Sequence, residues 1–274
     1  METEVCSPVL EKDIARAAAL IRDGQLVAFP TETVYGLGAN GLDAAACARI
    51  YEAKGRPSDN PLILHIADLS MLNETAEAVP STAAHLLTAF APGPITVVVP
   101  KAVHVPPLVT GGLSTVGVRC PAHDIARRFI RAAGVPIAAP SANTSGRPSP
   151  TSAAMVYADM AGRIPLILDG GSCRLGVEST IVDCTEEGRV TILRPGAVTY
   201  EMIAAEFPHI EVRMDTALSS ENAAPRAPGM KYTHYAPRVP LSLCRNGIRC
   251  HRSTAGGDPA PHGSRGAART DRKQ

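Results

Sequence analysis

The chain has 274 residues, of which 45% are hydrophobic, enough for a real core in one large domain or two smaller ones. Its formal net charge of +1 gives no global attraction to nucleic acid, so a site for a polyanion has to be local. No apolar run reaches the roughly 18 residues of a membrane span, and the N-terminus lacks the pattern of a signal peptide. We therefore expect a cytoplasmic protein with no membrane contact.

The seven cysteines are odd in number, scattered along the chain and nowhere spaced as Cys-x-x-Cys. This pattern indicates reduced thiols that mostly pack in the core. It predicts neither a zinc site nor a disulfide framework, and no metal-ligating residues are proposed.

The first helices and strand are predicted from the spacing of apolar residues and from glycines that can end a helix. Residues 11–23 have apolar side chains at helical spacing, and residues 25–30 are predicted to form a buried strand. A polar, glycine-rich loop is predicted over 31–41. Asp43 can cap a second helix, which is expected to run through Lys54 and to stop at a glycine.

The rest of the ordered chain repeats this alternation. Further strands are predicted at 61–66, 95–99, 115–119, 135–139, 166–168 and 179–183, with helices between most of them. The order predicts an α/β fold in which helices pack on a mixed sheet.

The composition changes at about Leu241 to many Gly, Pro and Arg residues and almost no large apolar ones. Residues 241–274 are therefore predicted to form a disordered basic tail. The sequence leaves open whether this tail is an arm that contacts RNA or a solvated, even out-of-frame, end.

Two cations lie where the second helix is predicted to end. Lys54 and Arg56 are two residues apart on a turn, so both can face one anion, and a strand that ends in His65 follows. The alternative is a solvated pair, because positive charge is favoured at any helix C-terminus.

A second polar segment follows the predicted strand at 135–139. It contains Ser141, Asn143 and Arg147, with Ser149 and Pro150 suited to begin a helix. Short polar donors beside a helix N-terminus suit a phosphate. The alternative is a loop whose side chains only cap their own backbone.

Two arginines are predicted at strand ends. Arg119 can grip a carboxylate through two parallel hydrogen bonds, or it can form an ordinary surface ion pair. Arg194 ends one strand of a predicted hairpin, and Ser179 begins the other.

Taken together and in order, these segments closely resemble the YrdC-like threonylcarbamoyl-AMP synthase family from Leu10 to Pro240. The matching segments are FPTETVYGLG, KGRPSDNPL, VGVRCP, APSANTSGRPSP, GVESTIVD, ILRPG and PGMKYTHYAP. The signature K-x-R and S-x-N of that family is met here by Lys54, Arg56, Ser141 and Asn143. The resemblance implies an α/β, YrdC-like twisted mixed β-sheet flanked by helices around a basic cavity.

The resemblance also implies the activity of an L-threonylcarbamoyladenylate synthase, a nucleotidyltransferase. Such an enzyme joins L-threonine, bicarbonate or CO2, and ATP, and it releases pyrophosphate. The product serves the threonylcarbamoyl-adenosine modification of tRNA, through a downstream threonylcarbamoyl transferase. A Mg²⁺ ion would be held mainly by ATP and water.

Residue roles are carried over from the family position by position. L-threonine would be held by Thr33, His65, Arg119, Ala139 (through its backbone) and Ser179. ATP would be held by Arg56, Asn60, Thr115, Ser141, Ser149, Arg194 and Tyr235. Lys54 and Asn143 would face the carbamate or the phosphates, which makes the four signature residues the expected catalytic set. Ser179 is preferred to Thr180 as the threonine contact, although the sequence leaves both open.

The resemblance divides the chain into three parts. These are a YrdC-like catalytic domain at 8–205, a linker at 206–240 that folds over the cavity, and the tail at 241–274 in place of the family's second domain. Tyr235 belongs to the linker.

Two other classes of function fit single features of the sequence. Gly36, Gly38 and Gly41 spell the GxGxxG of dinucleotide-binding enzymes, but they stand too far beyond the strand and no acid follows at the right place. An RNA-binding module without catalysis could hold a tRNA or double-stranded RNA backbone in the same basic cavity. Aromatic residues at 4% leave few platforms for base stacking.

Overall fold

The computed structural model describes residues 1–215 and the strand segments 241–244 and 247–250. The strands are β1 (Glu4–Cys6), β2 (Val27–Phe29), β3 (Gly36–Asn40), β4 (Ile63–His65), β5 (Ile95–Pro100), β6 (Thr115–Arg119), β7 (Ile137–Ala138), β8 (Leu166–Leu168), β9 (Thr180–Asp183), β10 (Arg189–Arg194), β11 (Glu211–Met214), β12 (Leu241–Cys244) and β13 (Gly247–Cys250). The helices are α1 (Glu11–Arg22), α2 (Ala44–Lys54), α3 (Ser81–Phe90), α4 (Pro107–Thr110), α5 (Asp124–Ala133), α6 (Ala153–Met160) and α7 (Tyr200–Glu206), and a 3-10 helix covers Leu69–Glu74. Among the described helices, none has the length and apolar character that crossing a membrane requires.

Eleven of the strands form one mixed sheet in the order β1-β8-β2-β3-β7-β4-β6-β5-β9-β10-β11. The sheet contains both parallel pairs, such as β4 with β6, and antiparallel pairs, such as β5 with β6 and β9 with β10. The predicted α/β fold with a mixed sheet is confirmed, as is the predicted hairpin of β9 and β10. The parallel register of β4 and β6 sets His65 beside Arg119, so two predicted site residues end neighbouring strands.

Apolar side chains cover both faces of the sheet. On one face, α1 and α5 pack through Ile21 and Phe129 against Phe29 of β2. On the other face, α2, α3, α6 and α7 pack on the central strands, where Leu37 and Leu64 are fully buried. A sheet with helices on both sides is rigid, and its loops can therefore hold a site in place.

Helix α2 begins and ends where its cap residues predict. The Asp43 carboxylate accepts hydrogen bonds from the backbone N–H groups of Ala45 and Ala46. Gly55 adopts a left-handed conformation with φ of 59°, so Lys54 is the last helical residue. This stop directs the chain out of the helix immediately before Arg56.

The predicted loop at 31–41 is wrong in its second half, which forms β3. Its glycines are there for close packing rather than for a turn. A Cβ atom at Gly36 would lie 3.0 Å from the Phe29 ring, and one at Gly38 would lie 2.8 Å from Ile137 Cγ2. Glycine has low strand propensity, which is why the sequence pattern suggested a loop.

The predicted helix start at Ser149 and Pro150 is also wrong. Helix α6 begins at Ala153, and the Ser152 hydroxyl accepts a hydrogen bond from the Met155 N–H. The Pro150 carbonyl instead accepts a hydrogen bond from Tyr35 N–H, which ties this loop to the segment before β3.

The chain forms two units, Met1–Tyr235 and Ala236–Gln274. In the second, β12 and β13 pair antiparallel, within the range that the sequence predicts to be a disordered tail. The rest of that tail, and residues 216–240 of the predicted linker with Tyr235, lie outside the described residues.

We predict that Gly38→Ala lowers the free energy of unfolding by about 1–3 kcal/mol, because the new methyl group would force Ile137 or Phe29 to move in a packed core. Urea denaturation followed by far-ultraviolet circular dichroism measures the change. Glu52→Ala on the exposed side of α2 is the control, expected to stay within about 0.5 kcal/mol of the parent chain. Equal stability of the two variants would contradict the packing role of Gly38.

Candidate active site

A cavity of about 550 Å³ lies beside the C-terminal ends of β4 and β6. It is lined by most of the predicted site residues: Lys54, Arg56, Asn60, His65, Arg119, Ala139, Ser141, Asn143, Ser179 and Arg194. Residues far apart in the sequence therefore border one space, and most of them carry hydrogen-bond donors. The predicted basic cavity is present.

Arg119 lines one side of the cavity and is paired with a buried carboxylate. Its Nη2 donates to Glu32 Oε1 at 2.7 Å, and the Ala122 N–H donates to Glu32 Oε2 at 3.1 Å. The two side chains are 5% and 3% exposed. Arg119 Nε is buried and has no hydrogen-bond partner within the described part of the chain. A buried donor without a partner costs free energy, so it points to a ligand that accepts there.

His65 lies next to Arg119 and is also buried. Its Nδ1 is 3.2 Å from the Ile63 carbonyl oxygen, and its ring meets the Phe29 ring edge-on at 5.9 Å. Burial, and then the positive charge of Arg119, lower the pKa of His65 to about 3. The imidazole is therefore neutral near pH 7 and offers a hydrogen bond rather than a charge.

The structure distinguishes Ser179 from Thr180. The Ser179 hydroxyl lies on the cavity wall, 2.7 Å from the Thr96 hydroxyl. The Thr180 hydroxyl donates to the Val198 carbonyl at 2.7 Å and accepts from the Val198 N–H at 3.1 Å. Thr180 thus joins the start of β9 to the loop after β10, whereas Ser179 faces the cavity.

Arg194 connects with the same serine. Its Nε and Nη2 donate to the Ser179 carbonyl at 3.1 and 2.9 Å, and Nη2 also reaches the Ser179 hydroxyl at 3.2 Å. The hairpin of β9 and β10 creates this contact, because it sets the end of one strand beside the start of the other.

The opposite wall is built from the end of α2 and the loop after β7. Lys54 Nζ donates to the backbone carbonyls of Ser141 and Asn143, each at 2.5 Å. Arg56 Nη2 donates to the Pro61 carbonyl at 3.1 Å. Burial, and then the charge of Arg56, lower the pKa of Lys54 to about 7.

Three predicted contacts do not line the cavity. Thr33 is fully buried, with its hydroxyl 2.9 Å from that of Thr31, which does line it. Thr115 borders a separate, much smaller pocket. The Ser149 hydroxyl donates at 2.6 Å to Glu178, a residue of the cavity wall. Tyr235 lies outside the described residues.

Sequence reasoning missed Glu32 and Glu178 as site residues. Glu32 stands between a buried strand and a glycine-rich segment, and a carboxylate is rarely buried unless it is paired. That rule could have suggested a buried cation as its partner. Nothing in the sequence pattern identifies Glu178, which lies in a polar loop.

Comparison with known proteins shows which family the chain belongs to. The Sua5/YciO/YrdC family model, described as "Telomere recombination", matches residues 19–196. The threonylcarbamoyl-AMP synthase of Bacillus subtilis is 53% identical over 235 residues, which cover 85% of this chain and 67% of that protein. The chain belongs to the threonylcarbamoyl-AMP synthase family.

Other members of the threonylcarbamoyl-AMP synthase family agree. The synthase of Pyrococcus abyssi is 54% identical over 83% of this chain and 66% of that protein. A crystal structure of P. abyssi Sua5 complexed with L-threonine matches with a TM-score of 0.82 and 51% identity, over 86% of this chain and 70% of that one. The predicted family and fold class are confirmed. Because these relatives are named as synthases, they support the catalytic prediction over that of an RNA-binding module.

The chain spans about two thirds of the length of these relatives. A second family model, described as "Threonylcarbamoyl-AMP synthase, C-terminal domain", matches residues 198–270. That range includes the predicted linker and most of the predicted tail. The three-part division into 8–205, 206–240 and 241–274 stays a prediction.

We predict a pH effect from His65. The unfolded chain protonates this histidine near pH 6.5, whereas the folded chain resists protonation until about pH 3. The free energy of unfolding therefore falls as the pH drops below about 6.5, by about 2 kcal/mol at pH 5. Urea denaturation at several pH values measures the fall, and His65→Gln is expected to remove that part of it. If the free energy of unfolding fell equally with pH in the parent chain and in His65→Gln, a neutral buried His65 would be contradicted.

Proposed function

We propose that this chain makes L-threonylcarbamoyl-AMP from L-threonine, bicarbonate or CO2, and ATP, and releases pyrophosphate. The observation that carries the proposal is the buried Arg119, which has an unpartnered N–H donor in a cavity that Arg56 also lines. The reaction joins a carboxylate-bearing amino acid to a nucleotide, so it needs an anion site at each end of one space.

The Arg119 side of the cavity suits threonine. Arg119 donates to the carboxylate, and the neutral His65 and the backbone of Ala139 lie on the same wall. The Ser179 hydroxyl, oriented by Thr96, bonds the amino acid. Thr33 supports this end through its contact with Thr31.

The opposite wall suits ATP. Arg56 and Arg194 supply N–H donors for phosphate oxygens, and Ser141 contacts the nucleotide from the same wall. The buried Asn60 side chain has an oxygen without a hydrogen-bond partner among the described residues. The family's ATP-binding roles for Ser149, which hydrogen-bonds to Glu178 on the cavity wall, and for Thr115, at the start of β6, stay in this proposal although neither residue lines the cavity. Tyr235, outside the described residues, is part of the proposal only through the family resemblance.

The chemistry follows from holding two anions in line. The amine of threonine loses a proton and adds to CO2 to form a carbamate. One carbamate oxygen then attacks the α-phosphorus of ATP, and the bond to the bridging oxygen breaks as pyrophosphate leaves. Positioned cations and N–H donors stabilise the charge that develops. The reaction needs no covalent intermediate with the enzyme.

The fit to Mg²⁺ is through the nucleotide. The described residues contain no group of three or more His, Cys, Asp or Glu side chains arranged to hold a metal ion. In our proposal, ATP oxygens and water would supply most of the ligands of the ion, and the ion would neutralise phosphate charge. The downstream partner is a transferase that passes the threonylcarbamoyl group to tRNA, and contact with tRNA is part of the same proposal.

We predict that the chain releases pyrophosphate from ATP and bicarbonate only when L-threonine is present. Arg119→Lys keeps a cation beside Glu32 but loses the fork of donors, so the KM for threonine is expected to rise by about 10- to 100-fold. Arg56→Ala is expected to lower kcat/KM for ATP by about 100-fold. A coupled pyrophosphate assay measures both.

Arg131→Ala, on the exposed surface of α5, is the matched control and is expected to behave as the parent chain. The proposal would be overturned if the folded parent chain released pyrophosphate without threonine, or if both site variants kept full activity.

We also predict that substitutions at Ser179 and Thr180 differ in their effect on the KM for threonine. Ser179→Ala is expected to raise the KM for threonine by about 3- to 10-fold, because one hydrogen bond to the substrate is removed, and it also removes the partner of the buried Thr96 hydroxyl. Thr180→Val is expected to leave that KM nearly unchanged and to lower the free energy of unfolding by about 1–3 kcal/mol, because Val198 loses its partner. Steady-state kinetics separates the two variants by their KM for threonine, and urea denaturation measures the stability of each. A larger KM effect from Thr180→Val would reverse the assignment.

A further inference from the structure

Lys54 has no donor left for a ligand. Its ammonium group is buried, with the residue 1% exposed, and an ammonium has three N–H donors. Three oxygens surround Nζ: the carbonyls of Ser141 and Asn143 at 2.5 Å and the side-chain Oδ1 of Asn143 at 3.5 Å. All three belong to one loop of the protein.

The charge of Lys54 is balanced by carbonyl dipoles rather than by a carboxylate. The acid whose charge most favours its protonation is Asp159. The Asp159 carboxylate is itself engaged, because it pairs with Arg147 at 2.6 Å and accepts from the Thr144 N–H at 3.0 Å. The hydrogen-bond donors of Lys54 therefore serve the loop and not a carboxylate.

The side-chain oxygen and nitrogen of Asn143 are likewise engaged in hydrogen bonds within the protein. Its Nδ2 donates to the carbonyls of Thr144 and Arg147 at 2.9 and 2.7 Å, and its Oδ1 accepts from the Ser141 hydroxyl at 2.5 Å. The Ser145 N–H donates a hydrogen bond to the Lys54 carbonyl at 3.0 Å. The end of α2 and the loop 141–147 are thus a single hydrogen-bonded unit.

This unit also fixes where Arg56 leaves the helix. Lys54 is the last residue of α2, and Gly55 turns the chain with φ of 59°. The Arg56 N–H then bonds back to the Tyr51 carbonyl at 3.0 Å. Fixing Lys54 by its side chain therefore fixes the turn that carries Arg56, next to the loop that carries Ser141.

We propose that Lys54 is a positioning residue, which holds Ser141 and Arg56 in the arrangement that binds ATP and which contacts neither ATP nor the carbamate. The identity of that ligand rests on the proposed function. The signature K-x-R and S-x-N then divides into two residues that face the ligand, Arg56 and Ser141, and two that hold the wall together, Lys54 and Asn143. The electrostatic field of Lys54 still reaches the cavity without a hydrogen bond.

Reductive methylation of the intact chain with ¹³C-formaldehyde, with and without ATP, tests the burial of this ammonium directly. Methylated sites are identified by mass spectrometry, and the exposed Lys12 serves as the internal reference. We expect Lys12 to be dimethylated and Lys54 to stay unmodified in both samples. Methylation of Lys54 in the free protein, whether or not ATP protects it, would overturn the proposal. This readout needs no activity, so it stands even if the proposed reaction is absent.

A double-mutant cycle on the threonine-dependent pyrophosphate reaction tests the coupling. Lys54→Met and Ser141→Ala are each expected to lower kcat/KM for ATP by about tenfold or more, and the double variant by no more than about twofold beyond the larger single loss. The affinity of the Lys54→Met and Ser141→Ala variants for threonine alone, measured by calorimetry, is expected to stay near that of the parent chain. Lys12→Met is the control. If the loss of kcat/KM in the double variant equals the product of the two single losses, Lys54 acts independently of Ser141 and the proposal is overturned.

If Lys54→Met does not fold, the methylation result decides alone. If the parent chain releases no pyrophosphate, the proposed function fails while the position of Lys54 is still tested.

Discussion

The ion pair of Arg119 and Glu32 is the constraint on which the site depends. Moving either charge out of water is costly, and each is tolerated only because the other is 2.7 Å away. The Ala122 N–H fixes the second oxygen of Glu32. The pair joins the end of β6 to the segment after β2, so the packing of the sheet sets the direction of the guanidinium. Its Nε has no hydrogen-bond partner among the described residues, and this is the donor that we propose for a substrate carboxylate.

The chain buries a second cation differently, and the difference suits its two substrates. The charge of Arg119 is balanced by a carboxylate, and the neighbouring His65 is neutral, so this side suits a zwitterionic amino acid. The charge of Lys54 is surrounded by carbonyl oxygens only, and Arg56 adds a second cation on the same wall. That side keeps a positive potential, which suits a polyphosphate. One cavity thereby offers different electrostatic surroundings to two anions.

The sequence predicts those parts of the fold and site that local rules determine. Strand β6 lies at the predicted residues, and α2 has the predicted limits because Asp43 and Gly55 are strong caps. Strand β3 was missed, since its glycines are required by the Phe29 ring, a tertiary contact. Glu32 was missed for the same reason, because its burial depends on Arg119, 87 residues further along the chain. The family resemblance supplied the residues that line the cavity. It could not reveal that Thr33, Thr115 and Ser149 lie behind the wall or outside it.

The most direct test of this account compares the binding of L-threonine with that of L-threoninamide to the intact chain by isothermal titration calorimetry. The amide keeps the side chain and the amine but lacks the carboxylate that Arg119 is held to receive. We expect threonine to bind and the amide to bind at least about 10-fold more weakly, the value of one charge-assisted hydrogen bond. Equal affinity for the two would contradict the assignment of the Arg119 and Glu32 pair as the carboxylate site.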